Sequence, residues 1–342
     1  MRLSRMLALG ASTLVLFSAC STGGGSTPTP VAPTPPPATA TPSTATPTPN
    51  SQPSSTGAAG APTIKIGSAG FYEAKIMAEI YAQALEAHGY TVDRAGIGLG
   101  ARAVTNPALE SGQIDLEPEY IGSDLASYAP GTQTGDPTAN MTALQTALNG
   151  KGGGITVLPF SPAVDTNAFV VRSETASSDN LVKMSDTTAV QNQLKWGLAT
   201  DCKTNPVCAA ALQSAYGLAP TNVTYLSACD TPMAQALLAK TIDVGELCST
   251  QPDIAQNQWV VLLDDKATQP ADNISPLVRN DYLAKLSDKA GFEAILNAVS
   301  AAMDTAQLTQ LNADFTVQKQ DITAIAKAWL IQAGLNTGGG SY

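Results

Sequence analysis

Three carboxylates, Asp115, Glu117 and Glu119, alternate along a stretch that ends at Tyr120. Read as a strand, this spacing puts all three on one face, where a carboxylate pair could do general acid and base work. No sugar-cleft pattern accompanies them, and the chain does not read as an enzyme. A single histidine, His88, leaves little from which to build a triad or a histidine metal site, so no catalytic residue, metal or cofactor is expected. Gly96-Ile97-Gly98-Leu99-Gly100 departs from the G-x-G-x-x-G spacing of a dinucleotide loop and reads instead as a tight turn facing a ligand. Asp230-Thr231-Pro232 has the residue types of a helix N-terminus. Asp or Thr would cap free N–H groups there, and the same donors could hold a ligand carboxylate.

Cys20 aside, the cysteines are Cys202, Cys208, Cys229 and Cys248, an even number in a chain that reads as exported. Disulfides are the expected state in an oxidising compartment. Of three possible pairings, the favoured one joins Cys202 to Cys208 around a proline-containing turn and Cys229 to Cys248 between neighbouring strands. A four-cysteine zinc site is the rival, but C-x5-C and C-x18-C lack the short knuckles such sites use.

The elements that position these groups show in the hydrophobic pattern. Residues 63–68 alternate as a strand, and residues 73–88 carry Ile76, Met77, Ile80, Tyr81, Ala84 and Leu85 on one helical face, closed by Gly89. A strand over 91–95 and a helix over 101–111 follow. The stretch 108–120 has a faint partner in 236–248, each reading as a helix end, a tight turn and a short strand. Two similar α/β lobes whose strand ends face a common cleft are therefore expected. Helices over 283–303 and 305–335 close the chain, with Phe292, Leu296, Val299, Phe315 and Trp329 as core.

The N-terminus reads as an address. Arg2 and Arg5, an apolar run from Met6 to Phe17, and Ser18-Ala19-Cys20 have the order of a secretory signal peptide. Residues 21–62 are rich in Thr, Pro, Ser, Ala and Gly without a charge, the composition of an unfolded tether. Removing the leader leaves 16 basic against 28 acidic groups, which argues against nucleic acid and against a polybasic membrane patch.

Cys20 after small residues resembles the bacterial lipobox, which implies lipidation there and an anchor on the outer face of the cytoplasmic membrane or in the periplasm. Two further motifs carry a second resemblance. Ile66-Gly67-Ser68-Ala69-Gly70-Phe71-Tyr72-Glu73 resembles the opening strand and ligand loop of the extracytoplasmic substrate-binding proteins of osmoprotectant ABC transporters. Gly112-Gln113-Ile114-Asp115-Leu116-Glu117-Pro118-Glu119-Tyr120-Ile121-Gly122-Ser123 resembles that family's G-E-I-D-x-x-P-E-Y-T-G-T signature. Weaker matches extend the resemblance over about residues 63–335.

It implies an α/β, two-lobed, type II-like periplasmic-binding-protein fold with two hinge-crossing strands. Lobe 1 would be 63–162 plus 270–335 and lobe 2 163–269, after a leader over 1–19 and an anchored linker over 20–62. The implied function is capture of a small zwitterionic or cationic compound such as glycine betaine or choline. The partners would be a permease and an ATPase encoded elsewhere, since no Walker-type loop is present. A ligand-sensing or scaffold lipoprotein uncoupled from transport, or a receptor for a non-quaternary polar solute, is the alternative. The implied ligand set is Ser68, Phe71, Tyr72, Arg102, Glu117, Tyr120, Asp165, Thr166, Asn167, Asp230, Thr231, Glu246, Ser249 and Thr250. Within it Tyr72 is expected at the ligand with Phe71 packed beneath the loop, and Glu117, if in the cleft, should meet a cation or Arg102. The family's ring cage is thin here: Glu117 and Asn167 stand where relatives often have Tyr.

Overall fold

The computed structural model describes residues 58–336; the leader, Cys20 and most of the tether lie outside them. The chain first lays down β1 (Ile64–Ala69), β2 (Val92–Gly100), β3 (Leu116–Tyr120) and β4 (Ile155–Val157). It then builds β5 (Asn167–Val171), β6 (Trp196–Ala199), β7 (Val223–Leu226), β8 (Val244–Cys248) and β9 (Val260–Val261), and returns for β10 (Ile274–Arg279). These make two five-stranded sheets, ordered β2-β1-β3-β10-β4 and β7-β6-β8-β5-β9. Each has three parallel strands followed by an antiparallel partner, β10 on β3 and β5 on β8. The protein is a mixed α/β, two-lobed molecule.

Helices α1 (Tyr72–Ala87), α2 (Arg102–Ser111), α3 (Ile121–Tyr128) and α4 (Pro137–Leu148) serve the first sheet. The second carries α5 (Ser173–Asp179), α6 (Ala209–Tyr216), α7 (Thr231–Leu238) and α8 (Pro252–Gln256). After β10, α9 (Asn280–Leu283), α10 (Lys289–Ala302), α11 (Thr305–Thr316) and α12 (Ile322–Gln332) follow, and the last three pack on α1. The face of α1 that carries Ile76, Met77, Ile80, Tyr81 and Leu85 is buried with Phe292, Leu296, Val299 and Trp329 in the first lobe's core. Trp196 is fully buried in the second.

The faint repeat has a structural counterpart. Residues 108–120 form the end of α2, a turn and β3; residues 236–248 form the end of α7, a turn and β8; and β3 and β8 are the third strand of their sheets. Gly112 ends α2 in the left-handed region at φ 77°, a conformation glycine adopts without a Cβ clash.

Two expectations are corrected. The glycine run 96–100 is not a loop but the far half of β2, which pairs with β1 through irregular register. A Cβ on Gly96 would lie 2.7 Å from the Ile66 carbonyl oxygen, so the glycine permits the close approach of the two strands. The single closing helix is two: Asp321 accepts N–H groups from Thr323 and Ala324 and so starts α12 afresh.

The two sheets are joined by two crossing segments, 158–166 and 262–273. They run antiparallel past one another, with a bridge between Val164 and Asn273 and an Asp165 N–H donated to the Asp272 carbonyl at 3.0 Å.

Candidate functional site

The carboxyl ends of β1, β2, β3, β6, β7 and β8 converge on a cleft of about 320 Å³. Ligands in open α/β sheets bind in this position, because loops there are free of the ladder and strand-end backbone groups face the opening. The first wall holds Ala69, Gly70 and Phe71 after β1, Gly100, Ala101 and Arg102 after β2, then Tyr120, Ser123 and Asp272. The second holds Asp165, Asn167, Ala199, Thr200, Asp201, Asn205, the stretch 227–230, Glu246 and Cys248.

On the first wall the Phe71 and Tyr120 rings lie 5.7 Å apart, tilted by 37°. The Tyr120 hydroxyl donates to Glu73 Oε1 at 2.7 Å, which fixes the ring. Arg102 donates to Glu119 Oε2 through Nε at 3.1 Å and Nη2 at 2.8 Å. On the second wall Glu246 Oε2 accepts the Ala199 N–H at 2.8 Å. Asn167 donates to Gln269 at 3.1 Å. Asp165 accepts from the Ser249 hydroxyl and the Thr250 N–H, both at 3.1 Å. Asp230 caps α7 through the Thr231 N–H at 2.7 Å.

Of the expected set, Phe71, Arg102, Tyr120, Asp165, Asn167, Asp230 and Glu246 come together at the cleft. The others do not line it. Ser68 is buried, accepting the Gly98 N–H and donating to the Ala69 carbonyl, so it braces the loop. Tyr72 and Phe71 exchange the expected positions. Phe71 is the extended N-cap of α1 and faces the cleft, whereas Tyr72 is the first helical residue and turns inward, its ring 5.5 Å from Phe315. Glu117 pairs with Leu277 in mid-sheet, three residues short of the strand's end; it is fully buried, and Arg102 bonds Glu119 instead. Thr166 and Ser249 hold each other through the Thr166 N–H and the Ser249 hydroxyl, Thr231 opens α7, and Thr250 donates to Glu73.

Asp201, Asn205 and Asp272 at the cleft, with Glu73 and Asn312 behind it, were not expected. Glu73 lay inside the quoted loop motif, the one signal that pointed to it; Asn312 reaches it from 239 residues away.

The cysteines pair as Cys202–Cys208 and Cys229–Cys248. Their sulfurs lie near Glu246 and Asp165 respectively, but a disulfide offers no thiolate for a metal.

Burial raises several carboxyl groups around the cleft. Glu246 is pushed up to about 7, the Ala199 N–H opposing the shift and Asp201 adding to it. Asp272 reaches about 6 by burial against the pull of Arg102, and Asp124 about 8 by burial and the charge of Glu119. A carboxyl raised in the folded state binds protons that the unfolded chain has released, so these groups make stability fall as pH rises from about 4 to about 8. The melting temperature is accordingly expected to be higher at pH 5 than at pH 8.5 in thermal scans; a rise across that window would contradict these burial assignments.

Comparison with known proteins adds a consistent result. The model for the substrate binding domain of ABC-type glycine betaine transport systems matches residues 62–332. The glycine betaine-binding protein YehZ of Escherichia coli is 25% identical over 284 residues, covering 80% of this chain and 92% of that protein. A glycine-betaine-binding protein of Pseudomonas aeruginosa is 26% identical over 285 residues, covering 81% and 89%. Among solved structures, one described as a glycine betaine/carnitine/choline ABC transporter superposes with a TM-score of 0.61 at 22% identity, covering 80% of this chain and 99% of that one. Lactococcal OpuAC closed on glycine betaine gives 0.57 at 16%, covering 80% and 97%. At these structural identities the likeness is one of fold.

Proposed function

Because the chain belongs to the family of substrate-binding domains of ABC-type glycine betaine transport systems, we propose that its cleft captures a small ammonium-bearing solute by closure of the two lobes. The observation that supports this reading most is that the cleft is lined from both sheets, which the crossing segments 158–166 and 262–273 join and where a hinge would lie. A ligand touching Phe71 and Tyr120 on one side and Glu246 and Asn167 on the other favours the closed arrangement by its contacts with both lobes at once. The lobes would be 63–162 plus 270–335 and 163–269. No bond is made or broken; the closed receptor hands its solute to a permease driven by an ATPase. Cys20 would carry the lipid that holds the receptor outside the membrane, with residues 21–62 as the tether. No helix among the described residues is long and apolar enough to cross a membrane.

Calorimetric titration of the purified protein with ammonium solutes, from glycine betaine, choline and carnitine to unmethylated amines, tests the reading. At least one is expected to bind in the low-micromolar range. Phe71→Ala is expected to weaken that binding about tenfold, the scale of a lost ring-face contact with a cation. Tyr72→Phe removes a buried hydroxyl that has no hydrogen-bond partner among the described residues and leaves affinity unchanged. The reverse ranking of the two variants would place the ligand elsewhere.

A further inference from the structure

The two walls of the cleft are chemically unequal. Phe71 and Tyr120 lie side by side on the first wall and can cover one flank of a cation, leaving the rest without rings. Arg102 is the one cationic side chain among the described residues that line the cleft, and Glu119 already occupies it. A ligand carboxylate would therefore have to compete with a salt bridge already in place.

The second wall accepts hydrogen bonds. Glu246 is only 1% exposed and opens on the cleft; Oε2 takes the Ala199 N–H, while Oε1 accepts no hydrogen bond from the described residues. Beside it Asp201, whose charge acts on Glu246, lines the cleft with no side-chain hydrogen bond among the described residues. A carboxylate oxygen that faces the cleft without a protein partner is met best by a charged N–H donor, whose charge also favours the ionised form of Glu246. A quaternary ammonium has no N–H to give.

We propose that this site takes a net-cationic solute whose ammonium carries N–H groups, a protonated amine seated on Glu246 and Asp201 with its carbon skeleton against Phe71 and Tyr120. Zwitterionic and permethylated relatives of the same skeleton bind more weakly. The inference rests on the reading of the cleft as the ligand site and names the substrate class for it.

Two methylation series decide the matter by titration calorimetry on the purified protein. One runs from ethanolamine through its mono- and dimethyl forms to choline, the other from glycine to glycine betaine. Affinity is expected to fall along the first series, by about tenfold or more from ethanolamine to choline, and the zwitterions are expected to trail the cations. Glu246→Gln is expected to weaken ethanolamine binding about 10- to 100-fold, and Asp201→Asn by about tenfold; the second, less buried position guards against a folding defect in the first. Choline or glycine betaine binding more tightly than the unmethylated parent, and losing affinity in Phe71→Ala, would overturn the inference while leaving the cleft as the ligand site. Silence from both series at millimolar concentration would remove the inference and that reading together.

Discussion

Replacing Glu73 with alanine is expected to cost about 3–5 kcal/mol of stability, the scale for leaving several buried hydrogen-bond donors without their acceptor. Glu73 is 2% exposed and accepts from the Tyr120 hydroxyl at 2.7 Å, the Thr250 hydroxyl at 2.5 Å and the Asn312 amide at 2.5 Å. These donors come from the end of β3, the turn after β8 and α11, so one carboxyl ties the first lobe's helices to a turn that belongs to the second sheet. Burial raises both Glu73 and Asp165, which holds the Thr250 N–H on the same turn. Alanine removes the acceptor of three donors and strands the Tyr120 and Thr250 hydroxyls, each costing about 1–3 kcal/mol when buried without a partner. Asn312 keeps a bond to the Thr250 carbonyl at 3.3 Å, which keeps the total toward the lower end of their sum. Urea denaturation measures the loss; a change below about 1 kcal/mol would show that the network is dispensable. Since Glu73 also anchors the Tyr120 ring, Glu73→Ala should weaken ligand binding, whereas Asn312→Ala, which leaves that anchor, should lower stability alone.

Removing the Cys229–Cys248 disulfide with a double serine variant is expected to cost about 3 kcal/mol, from the unfolded-chain entropy of a loop closed 19 residues apart. The Cys202–Cys208 bridge closes only six and should cost about 2 kcal/mol. Their effects on binding should differ more. Cys229 and Cys248 themselves line the cleft, and Cys229, held at φ 55°, immediately precedes the Asp230 cap of α7. Without the bridge that strained turn is free to relax, and the wall made by 227–230 moves away from the end of β8. Ligand affinity is expected to drop at least tenfold in Cys229→Ser/Cys248→Ser. Equal, small effects of the two double variants on affinity would mean that the bridge has no part in shaping the wall.

Much of the fold is legible because it rests on local periodicity. The alternation at 63–68 gives β1, the apolar face of 73–88 gives α1 to within a residue at each end, and the repeat at 108–120 and 236–248 marks the two central strands. Capping is local too, and Asp230 shows it. The site is harder to read because it depends on phase and on distance. Whether Phe71 or Tyr72 faces the ligand depends on which is the last extended residue before α1, a one-residue question that neighbouring aromatic residues cannot decide. Glu117 misleads because the signature specifies a strand but not which of its residues reaches the end; pairing with Leu277 buries it in mid-sheet. Asp272 and Asn312 belong to the site through partners 149 and 239 residues away, Ser123 and Glu73, and no sequence window spans such separations. Asp201 is visible in the sequence only as an acid beside a cysteine, and acquires meaning when β6 and β8 set it next to Glu246.

The central claim is that the two lobes close on a small ammonium solute held between them. Small-angle X-ray scattering of the purified protein, with and without a saturating concentration of its tightest-binding solute, tests this most directly. The account predicts a smaller radius of gyration with ligand, and no contraction in Glu246→Gln at a ligand concentration that saturates only the unaltered protein. An unchanged radius in the unaltered protein, with calorimetry showing the cleft filled, would contradict it.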